Sequence, residues 1–362
     1  MLNRIREALL NKQKLVINTG KTLEQDLLRY IKSQRHELCA LESKLLSKSL
    51  EEIESEYDLG LEILDYDLNE FFDKKTPLVI IPPKYEFWAY FMLALKFVLI
   101  GYPVRFLYFG WSKKIVKKIE KKKTHIQYKN LEFFDVEKYE LDVNAQTIIF
   151  NFSESFSGIK TNVPSFSTAI VTQDSDIDFS LAYILNHAFS FAGLKKSNLK
   201  RIIIDRKIEK VFLEKLLKKI ERGNGLNNSF VKSGKTVAEI QELMSEAISD
   251  GAEVIWGDGL ITPDELPKNI VISGVTPSMR IFQKKIYGPI LTITSTDFDN
   301  DKLDEILSMQ PSRGVVVLGE IAENSLPEDY YYAFRNSAEL STTDILLHNH
   351  PSLEYLFKKL EL

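Results

Sequence analysis

Apolar positions along the chain follow two rhythms. Up to about residue 72 they recur at helical spacing among Lys and Glu, as in Leu23, Leu27, Tyr30 and Ile31, then Leu38, Leu41, Leu45 and Leu46. This predicts two or three amphipathic helices. After Pro77 short unbroken apolar runs take over, at 78–81, 104–109, 131–136 and 147–152. Such runs suit strands covered on both faces, as in a parallel sheet, and the stretches 87–100 and 112–123 read as helical crossovers between them.

The alternation then repeats, with a strand at 168–172, a helix at 177–191, a strand at 201–205 and a helix at 209–220. Beyond the Gly- and Asn-rich loop 222–228, Val237, Ile240, Leu243, Met244, Ala247 and Ile248 mark one helical face that stops at Asp250-Gly251, as a C-capping glycine requires. Strands follow at 253–256, 269–273, 290–295, 314–318 and 345–347. The pattern predicts an α/β chain with two sheets and a domain boundary near residue 190.

Composition narrows the class. Apolar residues at 44%, charged residues at 27%, and only 16 Gly and 12 Pro exclude disordered and collagen-like chains. Cys39 is the single cysteine, which excludes an internal disulfide and a cysteine metal cluster and fits a reducing, cytoplasmic compartment. The net charge of −4 gives no overall case for a nucleic-acid partner. The most apolar stretch, 87–100, contains Lys96 and is shorter than the ~18 residues of a membrane span, so no membrane association is expected. Seven lysines between residues 113 and 123 surround Ile115, Val116 and Ile119, the pattern of a solvated helix face beside an apolar stripe.

Motifs are sparse. Gly20-Lys21-Thr22 and Gly234-Lys235-Thr236 lack the earlier glycine of a phosphate loop, with Leu15 and Ser229 in its place. His348 and His350 would share a strand face but have no third ligand in view, so no metal site is read.

The C-terminal half carries the most specific signals. The segment 238–259, containing Asp250-Gly251-Ala252 and ending in Trp256-Gly257-Asp258-Gly259, and the segment Lys285-Ile286-Tyr287-Gly288-Pro289-Ile290 resemble the aldehyde dehydrogenase family. Asp304-Glu305-Ile306 and Ser312-Arg313-Gly314-Val315 follow at the family's spacing. The resemblance extends weakly from the N-terminal helices to Asn349. It implies an aldehyde-dehydrogenase-like fold of two three-layer α/β domains facing a cleft. The N-terminal helices and a Rossmann-like, cofactor-type domain would occupy 1–188, and a catalytic-type domain with a short tail 189–362.

In that family a cysteine thiolate attacks the aldehyde, an oxyanion hole stabilises the adduct, and hydride passes to NAD or NADP. The resemblance puts Lys196 at the nucleophile position, through Gly193-Leu194-Lys195-Lys196 aligned without a gap to Arg201. Asn162 stands at the general-base position, where an amide cannot act as a base. Lys84 of Pro82-Pro83-Lys84-Tyr85 occupies the oxyanion-hole position. Leu107 and Lys285 fall on ribose contacts. Phe152 replaces a glycine beside the dinucleotide, followed by Ser153 at the family's serine.

Altered chemistry within a kept scaffold points to a protein that has lost NAD-dependent aldehyde oxidation and binds a protein partner or a small anionic ligand. The alternative is an NAD(P)-dependent oxidoreductase, an aldehyde dehydrogenase or acyl reductase, with relocated catalytic groups. A third reading makes Lys196 an amine catalyst. Ligand sites of open α/β sheets lie beyond strand carboxyl ends, so Lys84, Ser153 and Lys196 are expected to approach the cleft there. Lys84, Lys195, Lys196 and Lys285 would make that cleft cationic and suited to an anion rather than a dinucleotide. The family's assembly strands have no obvious counterparts, which implies a monomer or an altered dimer.

Overall fold

The computed structural model describes residues 26–46, 48–65, 76–123, 130–139, 147–153, 164–221, 234–257, 269–298, 300–321, 326–327 and 329–335. They divide into two compact units, one drawn from 1–46 and 53–161, the other from 47–52 and 162–362.

In the first unit, residues 26–33 are helical and precede α1 (Arg35–Leu46) and α2 (Leu50–Asp65). Then follow β1 (Leu78–Ile81), α3 (Trp88–Leu99), β2 (Val104–Tyr108), α4 (Lys113–Lys123), β3 (Leu131–Asp135) and β4 (Ile148–Asn151). The strands pair in parallel in the order β3-β2-β1-β4. The chain therefore builds outward on one side of β1 and then returns to its other side, so β1 and β4 flank the switch point of a doubly wound sheet.

α3 is apolar around its circumference because it is buried on all sides. Its first backbone amides have no local cap. Instead the Glu56 carboxylate of α2 accepts from Phe87 N at 2.8 Å and Trp88 N at 2.9 Å, satisfying two orphan donors at the positive end of the helix dipole. Gly60 lets α2 approach closely, since a Cβ there would lie 2.7 Å from Met92 Cγ. α4 buries Ile115, Val116 and Ile119 and exposes Lys113, Lys114, Lys117 and Lys121, as its pattern predicts.

The second unit contains β5 (Phe166–Val171), α5 (Ile177–Phe189), β6 (Arg201–Asp205), α6 (Glu209–Glu221), α7 (Gly234–Ser249) and β7 (Glu253–Trp256). β8 (Ile270–Ser273), α8 (Arg280–Gln283), β9 (Ile290–Thr296), α9 (Asn300–Ser308), β10 (Gly314–Leu318) and β11 (Tyr331–Arg335) complete it. Its seven strands run in the order β11-β10-β5-β6-β9-β8-β7, parallel except for the antiparallel β7–β8 pair.

Alternation along the strands builds three layers. Ile170, Ile203, Ile272 and Val317 face one apolar cluster with α7 and α9, while Val171, Ile202, Ile293 and Leu318 face another with α5 and α6.

Three features depart from the sequence reading. The division falls at 161/162 rather than at 188, because β5 is hydrogen-bonded to both β6 and β10 and carries α5 with it into the second sheet. β7 enters antiparallel, and β11 is a strand the apolar pattern did not mark. The predicted strand at 345–347 lies outside the described residues, as do His348, His350 and Gly20-Lys21-Thr22. Among the described residues no group of His, Cys, Asp and Glu could hold a metal ion. No described helix is long and apolar enough to cross a membrane.

Candidate functional site

β5 and β6 lie side by side and parallel, so residues entering them converge at one end of the sheet. Ser165 and Ser167 open β5, and Lys200 and Arg201 open β6. The turn 194–198 before β6 and the segment 284–287 before β9 close around them. Together they line a cavity of about 20 Å³ whose walls carry Lys195, Lys196, Lys200, Arg201 and Lys285, together with Ser165, Ser167, Ile286 and Tyr287. Five of these nine are basic and none is acidic among the described residues that line it. The space exceeds the ~10–15 Å³ that one buried water needs.

The chain reaches this arrangement through a strained turn. Phe191 (φ 53°), Ala192 (φ 50°) and Gly193 (φ 66°) are all left-handed, a conformation costing about 1–2 kcal/mol for each non-glycine residue. Several contacts hold it. Phe191 N donates to a Glu52 carboxylate oxygen, and the Phe191 ring has Lys195 Nζ at 3.5 Å and Lys48 Nζ at 4.5 Å from its centre. Gly193 O accepts from Gly288 N at 2.9 Å. A Cβ at Gly193 would stand 2.0 Å from Gly288 O and 2.5 Å from Lys200 Nζ, so only glycine fits. Asn198, which is buried, fastens the next turn. Its Oδ1 accepts from Lys195 N at 2.6 Å, and its Nδ2 donates to His187 O at 2.6 Å and Ser190 O at 3.1 Å. Ser165 Oγ donates to Lys196 O at 2.8 Å, tying the Lys196 backbone to the start of β5.

Two of the cations are deeply buried. Lys200 Nζ donates to Gly193 O at 2.8 Å and Gly288 O at 2.5 Å. Burial, followed by repulsion from Arg201, lowers its pKa to about 7. Arg201 donates Nε to Phe282 O and Nη2 to Lys284 O, and burial lowers its pKa to about 9. Neither forms an ion pair among the described residues. Lys195, Lys196 and Lys285 are half-buried at the rim.

The sequence-based candidates separate into two groups. Lys196 and Lys285 line this one cavity, at the amino ends of the strands rather than at the carboxyl ends expected for Lys196. Lys84 and Ser153 belong to the first unit. They follow β1 and β4 beyond their carboxyl ends, on either side of the switch point, with Asn151 Oδ1 accepting from Ser153 N at 3.0 Å. Lys84 is exposed, with its Nζ 5.3 Å from the Tyr85 ring centre and its carbonyl accepting from Trp111 Nε1 at 2.6 Å. Leu107 is fully buried in an apolar cluster with Val79, Ile81 and Val136. Asn162 lies outside the described residues. Lys200 and Arg201 went unrecognised as site residues; their signal is a pair of cations directly preceding a fully apolar run.

Residues 145–310 match the aldehyde dehydrogenase family. Among curated proteins the chain is 29% identical to a 1-pyrroline-5-carboxylate dehydrogenase of Staphylococcus haemolyticus over 137 residues, 36% of this chain and 26% of that protein. It is 26% identical to a betaine aldehyde dehydrogenase of Bacillus subtilis over 148 residues, 37% of this chain and 30% of that protein. The matched stretch thus covers less than a third of either relative.

Solved structures are alike over more of the chain. An NADP-dependent glyceraldehyde-3-phosphate dehydrogenase from Bacillus halodurans, complexed with NADP, superposes with a TM-score of 0.69 at 14% identity, covering 88% of this chain and 78% of that one. A salicylaldehyde dehydrogenase from Pseudomonas putida gives 0.65 at 14% identity, covering 90% and 78%. The fold is the one these dehydrogenase structures have.

Proposed function

We propose that the protein is an aldehyde-dehydrogenase-fold relative that does not perform cysteine-dependent aldehyde oxidation and whose catalytic-type unit binds a small anionic ligand. The observation that carries this reading is the cavity itself. Where the family resemblance calls for a thiolate, Lys196 stands among five basic residues, with no carboxylate among the described lining residues. A thiolate must come from a cysteine. The chain's single cysteine, Cys39, lies in α1 of the first unit, buried, with its thiol pushed up to about 12 by burial and then by Glu42. That thiol is protonated at neutral pH and is no nucleophile.

The positions that the resemblance gives to ribose contacts speak against a dinucleotide. Leu107 is apolar and enclosed, and Lys285 belongs to the cationic cavity.

A second reading draws on the relatives. The proteins named above are dehydrogenases, and the first unit keeps a doubly wound switch point between β1 and β4, which favours an NAD(P)-dependent oxidoreductase, an aldehyde dehydrogenase or acyl reductase, with relocated groups.

One pair of measurements separates the two. Thermal unfolding of the full chain is followed with NAD, NADP and small anions at constant ionic strength, and reduced nicotinamide is followed with a panel of aldehydes. Stabilisation by an anion alone, without turnover, supports the first reading, because a ligand that binds only the native state raises its stability. Dinucleotide stabilisation accompanied by turnover replaces it with the second.

A further inference from the structure

We infer that the helical layer of the first unit, with α1 between α2 and α4, is a self-complementary surface for a second copy of this chain. In that pair α4 of each copy lies over α2 of the other. The surface belongs to the first unit and is independent of the anion-binding reading.

Charge on α4 is the starting point. At 3.6 residues per turn, Lys113, Lys114, Lys117, Lys118 and Lys121 fall within one arc of about 140°, opposite the buried Ile115, Val116 and Ile119. Lys118 pairs with Glu37 of α1. Lys113, Lys114, Lys117 and Lys121 are exposed, and among the described residues none of them forms an ion pair. Lys113 with Lys117, and Lys117 with Lys121, are like-charged pairs one turn apart. Two of the lysines also stand in a first turn without an acidic residue, at the positive end of the helix dipole. Each arrangement weakens a helix taken alone. The apolar stripe already anchors α4, so the fold does not need this charge, and an acidic surface laid over it relieves the repulsion.

The acidic surface is on the other side of α1. Arg35 and Glu37 stand two residues apart, so they point about 200° apart around α1 at nearly the same height. Arg35 reaches α2, with Nη2 2.7 Å from Asp58 Oδ2 and Nη1 3.2 Å from Glu54 Oε1, while Glu37 reaches α4 through Lys118. α2 and α4 therefore flank α1 with their charged faces level. His36 stands between them with its side chain 80% exposed and Nδ1 3.5 Å from Glu54 Oε1. On the α2 flank Glu54 and Asp58 share one guanidinium, and Glu62 is exposed one turn beyond Asp58.

Symmetry makes these two flanks a pair. A two-fold axis along α1 exchanges them and sets each basic flank on an acidic one, whereas an axis across the helices would oppose α4 to α4. Closed two-fold pairs are the commonest outcome for a surface that complements itself. An anionic bilayer or a nucleic acid fits less well, because it would meet Glu37, Glu54 and Asp58 beside the lysines. The apolar side chains of α4 are buried and cannot insert into lipid. Three helices about 10 Å apart and about 18 Å long offer about 500 Å² per copy, about 1,000 Å² in all. That is the low end for a specific interface, so the pair is transient and held by charge.

The test is sedimentation velocity of the full chain across a concentration series at low and high salt. A monomer–dimer equilibrium is expected at low salt, with its dissociation constant raised about tenfold or more at high salt. Lys117→Glu with Lys121→Glu in one chain, and Asp58→Lys in another, should each lose the dimer while circular dichroism stays unchanged. An equimolar mixture of these two variants has complementary charge at both contacts and should associate again, to within about threefold of the original affinity.

A chain that stays monomeric throughout, a dimer indifferent to both variants, or a mixture that fails to associate while both variants are folded would overturn the proposal. Binding to phosphatidylserine vesicles in place of self-association, lost in the Lys117→Glu, Lys121→Glu chain, would give this face to a membrane instead.

Discussion

The two units place their chemistry at opposite ends of their strands. In the four-stranded unit Lys84 and Ser153 follow β1 and β4, at the carboxyl end and on either side of the switch point where open α/β sheets take ligands. In the seven-stranded unit the charged cavity sits where β5, β6 and β9 begin. There, local conformation replaces topology. A turn of left-handed residues, a glycine pair in backbone contact and two buried cations make a pocket that strand order alone would not. A switch point is available to any sequence that folds this way, but a pocket built from strain and buried charge depends on particular residues. The second unit should therefore be the less tolerant of substitution around its site.

The sharpest break of that contrast is one methyl group. Gly193→Ala drives a Cβ to 2.0 Å from Gly288 O at a φ of +66°, and a loss of about 3–5 kcal/mol is expected. Gly110→Ala in the first unit, where a Cβ meets nothing within 4 Å, should stay within about 0.5 kcal/mol. Denaturant unfolding of both variants decides it. Equal effects would show the seven-stranded site to be no more constrained than the first unit.

Lys200 supplies the next largest effect, through pH. Its folded pKa of about 7 lies below the ordinary value of 10.5, so between those values the unfolded chain holds a proton that the folded chain has released. Stability therefore rises with pH across that window, by up to about 1.4 kcal/mol per unit for each such group. Below it both states are protonated and the penalty is constant. Arg201, lowered to about 9, adds to the upper part of the rise. The other titratable groups lining the same cavity are Lys195, Lys196, Lys285 and Tyr287.

Lys200→Met should flatten the slope without unfolding the chain, because Gly193 O keeps Gly288 N and Gly288 O keeps Ile290 N as donors. Unfolding free energies measured from about pH 7 to about pH 10 in both proteins test this. An unchanged slope in the variant would show that Lys200 is not the group responsible.

Much of this architecture is legible from the sequence, for physical reasons. Strands covered on both faces leave unbroken apolar runs, so 78–81, 201–205 and 314–318 match β1, β6 and β10 residue for residue. β11 escapes because Tyr331 and Tyr332 remain partly exposed at a sheet edge and Arg335 closes it. The direction of β7 is set by pairing with β8, and composition does not encode it. Lys196 and Lys285 are visible because the resemblance assigns other residue types to those positions. Lys200 and Arg201 are not, since two cations before an apolar run read as a solvated strand end. Only the packing of the Gly193 and Gly288 loops over them reveals their burial.

In the first unit the corresponding long-range device is Glu56, which caps α3 from another helix. Glu56→Ala strips Phe87 N and Trp88 N of their acceptor in a buried setting and should cost about 1–3 kcal/mol. Glu56→Gln, which keeps one acceptor oxygen, should cost less. Denaturant melts that rank the two variants equally would show that the acceptor is not what matters.

Cys39 gives the smallest expected effect and tests the functional reading most directly. The thiol is fully enclosed in α1 and pushed up to about 12, so thiol reagents should label the native chain only as fast as it opens. Cys39→Ala removes a buried sulfur and should lower stability by about 1 kcal/mol. Any turnover or ligand binding should survive it unchanged, because the cavity that carries the charge contains no part of α1. Loss of turnover in Cys39→Ala, with the fold intact by circular dichroism, would make the first unit the seat of the chemistry and reverse the contrast between the two units.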